Sequence, residues 1–190
     1  MVVLAEIVLL ITGAVLSFIT LALLARFFMQ WGRVSFRNPI GQFVITITDW
    51  AVMPARRVIP GLFGLDMASL LLAWVAQVLF ILIKIGMGRL MVSAPLIVPL
   101  LGLIYLARMA TYLILGIVIV SVVLSWVGPQ APAAYVFNEL SRPFLTPFRR
   151  RIPPLGGIDL SPLVLLLVLQ IVLLLIEYLQ SGLLRFSFGS

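Results

Sequence analysis

The residues best placed to do chemistry in this chain are basic and acidic groups that recur in one pattern. PARRVIPGLFGLD at 54–66 and PFRRRIPPLGGID at 147–159 both read P-x-R-R-x-I-P-x-L-x-G-x-D. Adjacent arginines at a membrane surface can fork onto phosphate oxygens. That makes Arg56, Arg57, Arg149, Arg150 and Arg151 candidate contacts to lipid head groups or to an acidic partner. Pro60 and Pro153 bar a helix from running on through the pattern, and Gly64, Gly156 and Gly157 permit a turn. Asp66 and Asp159 stand where a following helix would start. A carboxylate there can accept from unpaired backbone N–H groups and meet the positive end of the helix dipole. In the second copy Ser161, before Pro162, offers a competing cap.

A second set lies downstream. Gln77 and Lys84 follow Asp66 by 11 and 18 residues, and Gln170 and Glu177 follow Asp159 by the same steps. At about 3.6 residues per turn both steps return to nearly the same helix face. Such a stripe can serve as an ion or proton route or as glue between helices. Polar side chains inside a membrane usually face other helices, so the stripes are expected to mark the packing face between the two copies, with Lys84 and Glu177 as an opposite-charge pair. The chain contains no His and no Cys. That removes thiolate nucleophiles, disulfides and the usual zinc, iron and haem ligands. No pair of carboxylates is placed for acid–base work, so no enzyme activity, cofactor or metal is expected.

What must position these residues is a membrane. Hydrophobic residues make up 63% of the chain and charged residues 10%, whereas soluble domains are roughly half apolar and a quarter charged. Charge-free windows at 7–25, 67–83, 109–127 and 160–176 are each close to the ~20 apolar residues that cross a bilayer core. The first is not expected to be a cleaved signal peptide, because Glu6 stands where a basic region would precede it. The stretch 90–107 is also charge-free but carries Pro95 and Pro99. It reads as a short interfacial or re-entrant segment leading into a long tilted helix, with a fifth crossing as the alternative. In NPIGQFVITITDWAV, Ile40, Phe43, Val44, Ile47, Trp50 and Ala51 recur at helical spacing, which predicts a short amphipathic helix. APAAYVFNELSRPFL repeats this more weakly through Ala133, Val136, Phe137 and Leu140. Trp31 and Trp126 end the first and third spans, as interfacial tryptophans do.

The expected fold is therefore an all-α membrane protein of two parallel repeats, 1–88 and 99–190, joined by a connector at 89–98. Twelve of 26 positions are identical between 54–79 and 147–172. Four spans put both arginine patterns on one side, with Arg33, Arg37, Arg56, Arg57, Arg142, Arg149, Arg150 and Arg151. Lys84, Arg89, Arg108 and Arg185 fall on the other. The arginine-rich side is expected to be cytoplasmic. The net charge of +7 thus has a membrane explanation, and the aromatics sit in apolar runs rather than among the basic residues, so no nucleic-acid partner is expected.

The doubled pattern, MQW and LSW at the ends of the first and third spans, and NP after the first Trp resemble the YggT (YlmG) family of bacterial and plastid membrane proteins. The likeness covers essentially the whole chain. The first copy has LFGLDMAS where the second has GGID followed by Ser161 and Pro162, so the residue-level likeness rests mainly on Arg149, Arg150, Gly156, Gly157 and Asp159. The resemblance implies a multi-pass protein of the bacterial inner membrane without established enzymatic activity. It also implies links to osmotic-stress tolerance or cell division and, in plastids, to nucleoid distribution and haem attachment during cytochrome assembly. The expected function is a non-catalytic scaffold or assembly factor, able to form a homo-oligomer, that contacts membrane lipids and a protein of the division or assembly machinery. The alternative is a small oligomeric ion transporter or channel that uses the polar stripes.

Overall fold

Alternation of long apolar runs with short amphipathic ones gives six helices in the computed structural model, which describes residues 2–61, 64–92, 94–152 and 159–188. They are α1 (Val2–Trp31), α2 (Pro39–Ala55), α3 (Met67–Gly86), α4 (Ile97–Val127), α5 (Pro132–Arg149) and α6 (Ser161–Phe188). Four of them, α1, α3, α4 and α6, are long and apolar enough to cross a membrane. The order long–short–long therefore occurs twice.

Local chemistry sets the helix boundaries. Pro39 opens α2, and the Asn38 side chain accepts from the Gly41 amide at 2.8 Å. A Cβ at Gly41 would lie 2.7 Å from the Phe36 backbone, so only glycine fits. Asp66 caps α3 by accepting from the Ser69 amide. The stretch 90–107 does not form a separate re-entrant element: from Ile97 onward it is the start of α4. Pro99 is the third residue of that helix, in the turn whose amides lack intrahelical partners, so its missing N–H costs nothing. At about 1.5 Å per residue the 31 residues of α4 span about 46 Å, more than a ~30 Å hydrocarbon core, so one tilted or projecting crossing accommodates them.

Within each half the same three contacts recur. α1 packs on α3 and α2 on both, as α4 packs on α6 and α5 on both; α4 also meets α3 and α1. Small residues set the closest approaches. A Cβ at Gly13 would lie 3.0 Å from the Phe80 ring, and one at Gly102 would lie 2.5 Å from Val78. Beside Gly102, the Trp74 indole donates to the Pro99 carbonyl at 3.1 Å. Leu23, Leu24, Val52, Ala68, Ala73 and Leu106 form a buried cluster that ties α1, α2, α3 and α4 together. The apolar face expected on α2 divides in two. Val44 and Val52 turn into the protein, while Phe43, Trp50 and Met53 are exposed. On α5 the inward residues are Ala134, Val136, Leu140, Ser141 and Leu145.

Candidate functional site

The first RR-x-IP pattern spans the corner between α2 and α3. α2 ends at Ala55, and Arg56 is its C-cap. The chain then turns through Gly64, whose φ of +78° lies in the left-handed region that favours glycine. This brings Asp66 back beside Arg56. The Arg56 Nε donates to Asp66 Oδ1 at 3.2 Å, and Nη2 donates to Oδ2 at 2.6 Å, a two-pronged contact. The Ser69 hydroxyl adds a donor to Oδ2 at 2.7 Å. The Gln30 amide donates to the Gly64 carbonyl at 2.9 Å, and its oxygen accepts from Arg56 at 3.2 Å, which ties the end of α1 to the corner.

Arg26, on α1, completes the cluster. Its Nη1 donates to Thr48 at 2.7 Å and to Asp49 at 2.6 Å, and its Nε lies 3.3 Å from Asp66 Oδ2. Arg26 is 4% exposed and Asp66 3% exposed, so this charge pairing is inside the protein. Two arginines balance two aspartates, with Arg26 and Asp66 buried and Asp49 and Arg56 partly exposed, 38% and 41% at their side chains. Burial pushes the Asp66 carboxyl up, but donors from Arg56 and Ser69 outweigh it and hold it below the ordinary 3.8.

The second pattern pairs the equivalent residues, with fewer partners among the described residues. Arg149 Nε donates to Asp159 Oδ2 at 2.8 Å, and the Ser161 amide, at the start of α6, donates to Asp159 Oδ1 at 2.9 Å. Partial burial raises the Asp159 carboxyl, and donors from Ser161 and Arg149 bring it below 3.8. Pro153, Gly156 and Gly157 lie outside the described residues. Between α4 and α5 the polar contacts are neutral: the Ser121 hydroxyl donates to Asn138 Oδ1 at 2.6 Å and lies 3.1 Å from the Ser141 hydroxyl. In each arginine run the first member pairs with the aspartate while its side chain stays partly exposed, 41% for Arg56 and 51% for Arg149. Arg57, Arg150, Arg151 and Pro60 are exposed.

The polar stripes part company. Gln77 is 1% exposed and donates to the Thr20 hydroxyl of α1 at 2.8 Å, within the first half. Gln170 and Glu177 are exposed on α6. Among the described residues no ion pair joins Lys84 to Glu177. Lys84 Nζ lies 4.8 Å from the Phe80 ring centre and 5.4 Å from that of Tyr105, whose ring also faces the Arg108 guanidinium at 4.5 Å. Arg108 donates to Gln180, and Glu6 pairs with Arg89 at 2.9 Å. No group of three His, Cys, Asp or Glu side chains able to hold a metal occurs among the described residues.

The sequence has known relatives. The CCB3/YggT family model matches residues 5–87 and 100–180, one segment on each three-helix half. The chain belongs to the CCB3/YggT family. It is 37% identical to the YggT protein of Escherichia coli K12 over 161 residues, 84% of each chain. An uncharacterised Pseudomonas aeruginosa relative is 36% identical over 171 residues, with 84% of this chain and 83% of its own length covered. A chloroplast YlmG homologue from Arabidopsis thaliana is 51% identical over 56 residues, 28% of this chain and 22% of its own. No solved structure matches.

For this CCB3/YggT chain, sequence reasoning missed Arg26 and Gln30. Arg26 reads as the residue that ends an apolar window, yet α1 runs on to Trp31. Its signal was helical phase: a cation one turn inside the end of a span must find acids, and Asp49 and Asp66 border the same corner.

Proposed function

We propose that this CCB3/YggT protein is a non-catalytic membrane scaffold or assembly factor whose corners present arginines to phosphate-bearing lipid head groups. The observation that carries this reading is the division within each arginine run. All five arginines are exposed, but Arg56 and Arg149 are engaged by Asp66 and Asp159, whereas Arg57, Arg150 and Arg151 form no ion pair among the described residues. Close to Arg57 in the sequence, on α2 and just after it, are the exposed apolar side chains Trp50, Met53 and Val58, the last 83% exposed. Cations next to apolar side chains on and after a short helix are the composition of an interfacial anchor, which gains from both acyl contact and anionic head groups. The excess of arginine on this face supports a cytoplasmic orientation in a bacterial inner membrane as part of the same proposal. The transport alternative gains little support from the stripes, since Gln77 bonds to Thr20 and Gln170 and Glu177 face outward.

The test uses the full chain reconstituted in vesicles of phosphatidylglycerol and phosphatidylcholine, with the lipid retained after purification quantified by mass spectrometry. The anionic lipid should be enriched over its bulk fraction. Joint substitution of Arg57→Gln, Arg150→Gln and Arg151→Gln should remove most of that enrichment and leave the unfolding temperature unchanged. Enrichment that survives the triple substitution, or none in the natural chain, contradicts the reading.

A further inference from the structure

Of the four spans, α6 is the least enclosed, with 17% of its most apolar window buried. It packs on α4 and α5, turning Leu165, Leu169 and Ile176 inward. The opposite face carries Leu163, Leu167, Gln170, Leu174, Glu177 and Ser181, all exposed. Their spacing is 4-3-4-3-4, the repeat of a seam between two helices crossing at a shallow left-handed angle. Leucines alone could rest against lipid. Gln170 is different: it lies nine residues beyond Ser161, about 14 Å into the span, where hydrocarbon offers its amide no donor or acceptor.

We propose that a second copy of this chain covers this face, with the two α6 helices crossing in parallel and Gln170 of each donating to the side-chain carbonyl of the other. The primary amide carries both donor and acceptor, so two identical helices satisfy each other at the seam's centre. Two copies inserted the same way up in one membrane present α6 in the same direction, so equivalent positions meet about a twofold axis along the membrane normal. Leu163, Leu167 and Leu174 pack on either side of the amide pair. Glu177 stands two turns further on, about 24 Å from the helix start, where crossing helices diverge and the two carboxylates reach the polar boundary. The proposal is independent of the lipid-binding reading.

The chain contains no Cys, so single cysteines report this face directly. Leu163→Cys, Leu167→Cys and Leu174→Cys sample the seam. Val168→Cys and Leu175→Cys, at exposed positions one residue off it, sample the flank. In membranes at low protein-to-lipid ratio, the three seam positions should form disulfide-linked dimers several-fold more than the two flank positions. Gln170→Leu suits lipid and leaves folding intact, and it should weaken dimerisation about threefold to thirtyfold in a fluorescence energy-transfer dilution series in lipid. Equal cross-linking on seam and flank, a chain that stays monomeric in lipid, or an undiminished Gln170→Leu dimer would each overturn it.

Discussion

At the first corner Arg26 reaches from α1 to Asp49, Asp66 and Thr48. At the second, the residue five places before Trp126 is Ser121, and it meets Asn138 and Ser141. Asp66 is 1% exposed at its side chain and Asp159 39%. The same pairing, of the first arginine of the run with an aspartate ten residues later, is thus accompanied by a charge cluster in one half, while the equivalent α4–α5 contact in the other is made by hydroxyls and an amide. The two solutions differ in what happens when one member is lost. A buried cluster is close to neutral while complete, but losing one partner strands a charge in a low dielectric. A neutral network loses only hydrogen bonds. The first corner is therefore the rigid one, and the second tolerates change.

The largest expected contrast follows directly. Arg26→Leu leaves the Asp66 and Asp49 carboxylates short of their buried cation and should cost about 3–5 kcal/mol of stability. Ser121→Ala should cost about 1 kcal/mol. Denaturant unfolding of both variants in one lipid or detergent checks the ranking, and equal losses would erase the distinction between the corners.

A smaller contrast lies in pH dependence. Asp66 and Asp159 are both held below the ordinary carboxylate value by their donors. A carboxyl whose folded value is lowered stabilises the fold above its unfolded value, and that contribution is lost as pH falls through the folded value. Stability should therefore fall below about pH 4. Asp66→Asn should flatten that acid limb more than Asp159→Asn, because solvent screens the exposed Arg149–Asp159 pair. Unfolding midpoints for the two variants across the acid range decide this; a steeper effect from Asp159→Asn would reverse the comparison.

How much of this was legible depended on whether one segment sufficed to show it. The four long helices follow from charge-free windows, and the capping roles of Asp66 and Asp159 follow from their place before an apolar run. The pairing of Arg56 with Asp66 was not legible, because it depends on the path of the intervening turn through Gly64. Arg26 marked the edge of a window, so its inward direction emerged only once α2 was docked beside α1. The stretch 90–107 reads as an interfacial or re-entrant segment leading into a long helix; the long helix is present but already begins at Ile97, because the first turn of a helix tolerates Pro99. The stripe spacing was real, but spacing fixes only which residues share a face. Gln77 turned that face toward α1, while Gln170 and Glu177 turned theirs outward.

The central claim is that neighbouring arginines in each run do different work, the first holding the corner and the second facing the membrane surface. Its most direct test compares Arg56→Gln with Arg57→Gln, each measured for unfolding in the same lipid. Arg56→Gln removes two donors from a buried carboxylate and should cost about 1–2 kcal/mol, tempered by the partial exposure of the guanidinium. Arg57→Gln should stay within about 0.5 kcal/mol of the natural chain. Indistinguishable losses, or a larger loss from Arg57→Gln, would contradict the division of labour.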